Sequence, residues 1–194
     1  RVISDEIHCE LVMPGYTFTP FAAVSELNQN NCISLNSPSK SFNIAGLQIA
    51  NIICKDQEVR RRIDRVVNIY EVCDVNPFGP LALKAAYNES EDWLDELNLY
   101  IHDNYNCMKA YLAEHLPQVE LVKLEGTYLA WLDIRALDMS SDQATQKLLK
   151  NGKVFVCSGT IYGEREGEGY LRVNLACPRE TLQDGLQRMV KTLG

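Results

Sequence analysis

The spacing of apolar and polar positions divides the chain into strands and helices before any chemistry is considered. Val2 to Ile7 reads as a short strand and Cys32-Ile33-Ser34-Leu35-Asn36 as a second. Ile49 to Cys54 is a continuous apolar run of the kind buried sheets use, and predicts a third. The period then changes. From Asp56 to Tyr70, the residues Val59, Ile63, Val66, Val67 and Tyr70 fall at helical spacing and predict an inward stripe. Asn76-Pro77-Phe78-Gly79-Pro80 interrupts, and Leu81 to Tyr87 reads as a short helix. A long helix follows over Glu91 to Leu116, with Trp93, Leu94, Leu97, Ile101, Met108 and Leu112 facing inward.

Pro117 ends that helix. Val119 to Leu124 and Tyr128 to Asp133 read as strands, and Ser141 to Lys150 as a helix capped by Ser140 or Ser141. Val154 to Cys157 and Tyr170 to Leu175 read as further strands, and Arg179 to Leu193 as a closing amphipathic helix. Strands and helices are mixed throughout, which predicts an α/β or α+β fold.

Composition narrows the function classes. The 26 acidic residues outnumber the 19 basic ones, for a net charge of −7, so a general nucleic-acid binder is excluded. No apolar run approaches the ~20 residues of a membrane span, and the first residues lack the apolar core of a signal peptide. The chain begins at Arg1 and not at a methionine, so further sequence is expected upstream. Seven cysteines are odd in number and contain no C-x-x-C pair, which argues against a metal site and for buried reduced thiols in a cytoplasmic protein.

Three residues carry candidate chemistry. Lys40 lies among small hydroxyl residues in Asn36-Ser37-Pro38-Ser39-Lys40-Ser41-Phe42-Asn43. Hydroxyls and loop amides can hold a phosphate, and a lysine amine can condense with an aldehyde. A lone lysine is nonetheless most often a solvated surface residue. Asp5, near the end of a short strand, could pair with a protonated ring nitrogen, or serve only as a loop or cap residue. His8 could bond the same ligand or simply pack. Arg172 sits inside an apolar strand, where burial would call for an anionic partner such as a carboxylate; an outward-facing strand residue is the plainer alternative. The glycines at 159, 163, 167 and 169 form an irregular loop and not a phosphate loop. Arg60-Arg61-Arg62 reads as the solvated face of its helix.

Four ordered segments together resemble a known family. They are Ser4-Asp5-Glu6-Ile7-His8-Cys9-Glu10-Leu11 with Pro14-Gly15 and Thr19-Pro20-Phe21, then Ser37 to Gln48, then Gly126 to Asp133, and finally Gly169 to Arg179. This pattern is similar to fold-type I pyridoxal-phosphate (PLP) enzymes of the class I/II aminotransferase superfamily. More narrowly, it resembles their cystathionine β-lyase branch, of the MalY/PatB type. Smaller departures are Ser158, where relatives often have proline, and Ser41, where threonine is commoner.

The resemblance implies that Lys40 carries PLP, that Asp5 pairs with the pyridine nitrogen, and that Ser37 and Ser39 help hold the phosphate. It places His8 where many relatives carry a tyrosine beside the ring oxygen. It implies that Arg172 binds the substrate α-carboxylate, with Tyr16 and Tyr162 lining the substrate end. The implied activity is a carbon–sulfur β-lyase that converts cysteine conjugates to thiol, pyruvate and ammonia, working as a homodimer on a small amino acid. An aminotransferase shares the first steps, and an inactive fragment or interaction module is the third reading. The match covers only the later part of such enzymes. Residues 1–88 would end the large cofactor domain, and residues 89–194 would be the connecting helix and small domain. Without the phosphate loop and ring-stacking residue of the earlier part, this chain alone is expected to lack PLP.

Overall fold

Parallel pairing of two early strands sets the first part of the molecule. A computed structural model describes residues 1–194. In it β1 (Val2–Asp5) lies parallel to β2 (Cys32–Asn36), with Val2 opposite Cys32 and Asp5 opposite Leu35. β1 stops short of the expected Ile7 because Asp5 Oδ1 accepts the Ile7 amide at 3.2 Å, a side-chain turn that ends the strand. Between the strands, α1 (Glu26–Asn30), which the sequence pattern did not predict, starts at Ser25, whose hydroxyl accepts the Asn28 amide. β3 (Asn51–Ile53) joins the far side of β2 antiparallel, giving the order β1-β2-β3. The expected strand over Ile49 to Cys54 is thus shorter. It is also not a buried one: β3 is an edge strand, and Ile52 and Ile53 are exposed.

α2 (Gln57–Ile69) begins at Asp56, whose carboxylate accepts the Glu58 and Val59 amides and pairs with Arg1 at 2.7 Å. Its expected inward stripe is not buried. Val59, Ile63 and Val67 are half-buried, whereas Val66, Ile69 and Tyr70 are exposed, Tyr70 to 74%. Helical periodicity marks the apolar face but does not supply the surface that covers it. α3 (Phe78–Glu89) starts earlier than Leu81 because Pro80 falls in the first turn, where a missing N–H removes no helical bond.

α4 (Glu91–His115) is the long helix. The chain forms two compact units, Arg1–Leu97 and Asn98–Gly194, and the boundary falls inside α4. Within the second unit Ile101, Asn104, Tyr105, Met108 and Leu112 are buried. Of the remaining expected inward residues, Leu94 and Leu97 are half-buried, and Trp93 is 52% exposed. Trp93 is amphipathic: its indole Nε1 donates to the Ser41 carbonyl while its ring faces solvent.

The second unit holds an antiparallel sheet in the order β4-β5-β7-β6, made of β4 (Glu120–Leu121), β5 (Leu129–Asp133), β6 (Cys157–Ser158) and β7 (Tyr170–Asn174). β4 and β6 are two residues each, shorter than the runs Val119 to Leu124 and Val154 to Cys157 predicted. Ala130, Leu132 and Leu171 are fully buried, as are Ala144 and Leu148. α5 (Ser141–Lys147) opens with a reciprocal cap between Ser140 and Gln143 and runs into a wider turn over Leu148–Gly152. α6 (Arg179–Leu193) matches the expected span and buries Leu182, Leu186, Met189 and Leu193. Asn104 of α4, fully buried, donates to the carbonyls of Leu175 and Cys177 and accepts from Arg179 Nε, which ties the turn between β7 and α6 to the long helix.

The seven thiols are all unpaired. Only Cys32 and Cys54 are buried; Cys73 is exposed and the other four are intermediate, so general burial of the thiols does not hold. No helix is long and apolar enough to cross a membrane.

Candidate active site

In the first unit the candidate residues gather at one edge of the parallel pair. Parallel strands place their carboxyl ends on the same edge, the position where open α/β sheets bind ligands. Asp5 closes β1, and Asn36 closes β2 just before the Ser37–Lys40 turn. Asp5 is opposite Leu35 in register, so its carboxylate and the lysine turn leave the sheet together. Asp5 is exposed, and its recorded bond, from Ile7 N, uses Oδ1.

The lysine turn is built from local bonds. The Phe42 amide donates to the Pro38 carbonyl at 2.9 Å, and the Ile44 amide to the Ser39 carbonyl at 3.2 Å. Asn43 takes the left-handed conformation with φ of 53°, which asparagine tolerates better than most residues. Ser37 is buried at 3% exposure; its hydroxyl donates to the Ile49 carbonyl at 2.6 Å and accepts the Ser39 amide. The Ser39 hydroxyl, half-buried, lies at 2.5 Å from that of Ser37. Ser37 therefore shapes the turn from inside, and Ser39 is the more accessible hydroxyl.

Lys40 is exposed and its amine forms no hydrogen bond or ion pair. Its neighbour Ser41 is fully buried and held twice, by its hydroxyl on Glu10 Oε2 at 2.8 Å and by Trp93 Nε1 on its carbonyl at 3.2 Å. The backbone under Lys40 is anchored while the amine stays available. The sequence pattern set Trp93 on an inward helical stripe and Glu10 within a resembling segment, but tied neither to Ser41. Their spacing to Ser41 is long-range, and no local signal marks it.

Glu10 belongs to a polar corner with Cys9, Asn36 and Tyr87. Asn36 Nδ2 donates to Cys9 Sγ at 3.1 Å, and the Tyr87 hydroxyl donates to Asn36 Oδ1 at 2.7 Å. Burial, then the charge of Glu10, pushes the Cys9 thiol up to about 12; the same two causes push the Tyr87 hydroxyl up. Both groups are thus neutral hydrogen-bonding partners at ordinary pH. His8 is half-buried in the turn after β1, and its carbonyl accepts the Leu11 amide. Tyr16 is part-exposed in a separate loop of this unit.

The second unit carries Arg172 at the middle of β7. It faces Trp131 of β5 and Cys157 of β6 across the sheet. Strand alternation puts these three on the face opposite buried Leu132 and Leu171. The guanidinium lies under the Tyr162 ring, 4.1 Å from its centroid, and that ring meets Trp131 edge-on at 5.5 Å. Arg172 is half-buried and makes no ion pair. The anionic partner that a buried strand arginine would need is absent, and an aromatic face takes its place. Sequence reasoning placed Arg172 and Tyr162 but missed Trp131 and Cys157, whose role depends on strand register.

The loop between β6 and β7 is shaped by glycines. Gly159 and Gly167 run backbone against backbone, where a side chain on either would strike the other, and Gly169 has φ of 84° with Arg135 packed on it. No three histidine, cysteine or acidic side chains gather to hold a metal.

An exposed, unengaged amine beside hydroxyls, with a carboxylate on the same strand edge, fits a phosphorylated aldehyde whose ring nitrogen is protonated. Comparison with known proteins points the same way. The chain is 41% identical to cystathionine β-lyase PatB of Bacillus subtilis over 192 residues, covering 99% of this chain and 49% of that protein. It superposes on a PLP-bound structure from Clostridium difficile 630 with a TM-score of 0.96 at 34% identity, covering 100% of this chain and 50% of that one. It also superposes on cystalysin of Treponema denticola, a structure containing PLP, with a TM-score of 0.87 at 36% identity and coverage of 98% and 48%. The chain spans about half the length of the curated relatives it matches. The model of the family described as aminotransferase class I and II matches residues 1–189, and the chain belongs to that family.

Proposed function

We propose that this chain carries the lysine-bearing and carboxylate-binding parts of a PLP-dependent carbon–sulfur β-lyase of the cystathionine β-lyase type. The observation that carries the reading is the free amine of Lys40, on an anchored turn at the same strand edge as Asp5. The similarity to PatB favours lyase over aminotransferase. In this reading residues 1–88 end the large cofactor domain, and residues 89–194 are the connecting helix and small domain. The working protein is a cytoplasmic homodimer acting on a small amino acid.

Lys40 would hold PLP covalently, Asp5 would face its ring nitrogen, and Ser39 would meet its phosphate, while Ser37, expected there too, has its O–H on the Ile49 carbonyl and supports the turn from inside. When bound, PLP supplies an aldehyde carbon for the substrate amine and a ring that withdraws electrons from Cα. The remaining work falls to the chain. Asp5 would hold the proton on the ring nitrogen. Lys40 would take the Cα proton. Arg172 would bind a substrate α-carboxylate through its planar fork. Tyr162 and Tyr16 would contact the substrate, each from its own unit, and His8 would offer a ring nitrogen to the cofactor. Loss of the Cα proton with departure of a thiolate from Cβ, followed by addition of water, yields thiol, pyruvate and ammonia.

Incubation with PLP, borohydride reduction and peptide mapping test the reading. Label confined to Lys40 and abolished in Lys40→Ala would overturn the expectation that this chain alone lacks PLP and would carry the reading to it. Scattered or negligible label would restrict the proposal to a longer protein. Pyruvate formed from L-cystathionine without an added 2-oxo acid supports the lyase, and an absolute requirement for the 2-oxo acid would assign an aminotransferase instead.

A further inference from the structure

The turn that carries Tyr162 is held from the start of α5. Asp142, in the first turn of that helix, accepts two hydroxyls on the same oxygen, Ser158 at 2.6 Å and Thr160 at 2.8 Å. The two hydroxyls also lie 2.8 Å from each other. Ser158 is buried at the end of β6, and Thr160 lies two residues before Tyr162. The adjacent Ser141 holds the far end of the same loop. Its hydroxyl accepts the amides of Gly169 and Tyr170 at 2.7 and 3.0 Å. Both ends of the loop over Arg172 are thus tied to one helix start.

What the loop delivers is a ring and not a charge. An acidic residue against Arg172 would neutralise it and occupy its N–H fork. Arg172 Nη2 donates to Cys157 Sγ at 4.0 Å, and the Tyr162 ring steadies the guanidinium plane while leaving its other edge donors available for an anion.

We propose that Asp142, acting through Ser158 and Thr160, is a positioning residue for carboxylate binding: it fixes the turn that seats Tyr162 on Arg172 and so presents the guanidinium edge to a substrate carboxylate. This rests on the reading of Arg172 as the carboxylate-binding residue. It assigns a role to Ser158, which departs from the proline common among the proteins this sequence resembles. Ser158 has φ of −64°, a value proline also adopts, so the serine is distinguished by its hydroxyl and not by its backbone.

NMR of the 194-residue chain tests it, reading the Arg172 Nε–H resonance with L-alanine as the carboxylate probe. In the unmodified chain the Tyr162 ring current displaces that resonance, and L-alanine moves it further. In the double variant Ser158→Ala, Thr160→Val the ring displacement is lost and half-saturation by L-alanine rises about three- to fivefold, the scale of one partly exposed cation–π contact. Thr160→Ser keeps the hydroxyl and keeps both readouts, and Tyr162→Leu reproduces the double variant. Should the double variant not fold, Asp142→Ala, which removes the oxygen that both hydroxyls bond, carries the same comparison. An unchanged ring displacement, or a lost displacement with unchanged half-saturation, overturns the proposal. A ring displacement that depends on the hydroxyls in a chain that ignores L-alanine overturns it too, and there locates the failure in the carboxylate reading of Arg172.

Discussion

Lys40 and Ser41 are chain neighbours in opposite surroundings, and the contrast makes the lysine useful. Ser41 is fixed from two directions in the interior, so the amine next to it moves on a stationary base. The polar corner behind it gives a pH-dependent prediction. Cys9 has its thiol pushed up to about 12 by burial and by the charge of Glu10, from an ordinary value of 9.0. A group raised in the folded state stabilises fully below its unfolded pKa and loses that contribution as pH rises to its folded value. The corner is therefore expected to hold its full contribution up to about pH 9 and to lose it towards about pH 12. Denaturant titration at stepped pH checks this, and Cys9→Ala should flatten part of the alkaline decline. Near pH 8, alkylation followed by peptide mapping should label exposed Cys73 well before Cys9. Equal rates at the two would contradict the burial argument.

At the scale of elements, apolar faces that look alike in sequence have different energetics in a helix and in a sheet. The apolar stripe of α2 leaves Val66 and Ile69 exposed, whereas Leu132 and Leu171 on the inner face of the second sheet are fully covered. Val66→Ser with Ile69→Ser is expected to change stability by less than about 0.5 kcal/mol, and Leu132→Ala to cost about 2–5 kcal/mol. Chemical denaturation of the three proteins decides, and a large cost for the α2 pair would mean that its face is covered in solution. Asn104 offers a sharper case, since it satisfies two buried carbonyls and one arginine at once. Asn104→Ala should cost about 1–3 kcal/mol through the groups it leaves unpaired. Helix types and positions were largely legible because caps and periodicity are local: α6 matches its expected span, and α5 begins where Ser140 caps it. Short strands were less legible. β3, β4 and β6 are set by what lies beside them, so apolar runs around them overstated their length.

For the whole molecule, charge is the property that summation alone supplies. With a sequence pI of about 5.0, the chain should be least soluble near that pH and more soluble at neutral pH. A solubility profile from acid to neutral pH tests this, and a minimum well above pH 5 would point to association through exposed apolar surface instead. The mixed helix-and-strand class was readable from local periodicity, whereas the family and the weight given to Lys40, Asp5 and Arg172 came from the resemblance of four ordered segments. Whether an apolar stripe is covered, which strand lies beside Arg172, and what holds Ser41 were legible in neither. Those depend on register and on contacts between residues far apart in sequence, which only the folded chain brings together. Trp131 and Cys157 flank Arg172 through pairing, Tyr162 covers it through a loop closed by Asp142, and Glu10 reaches Ser41 across the sheet edge.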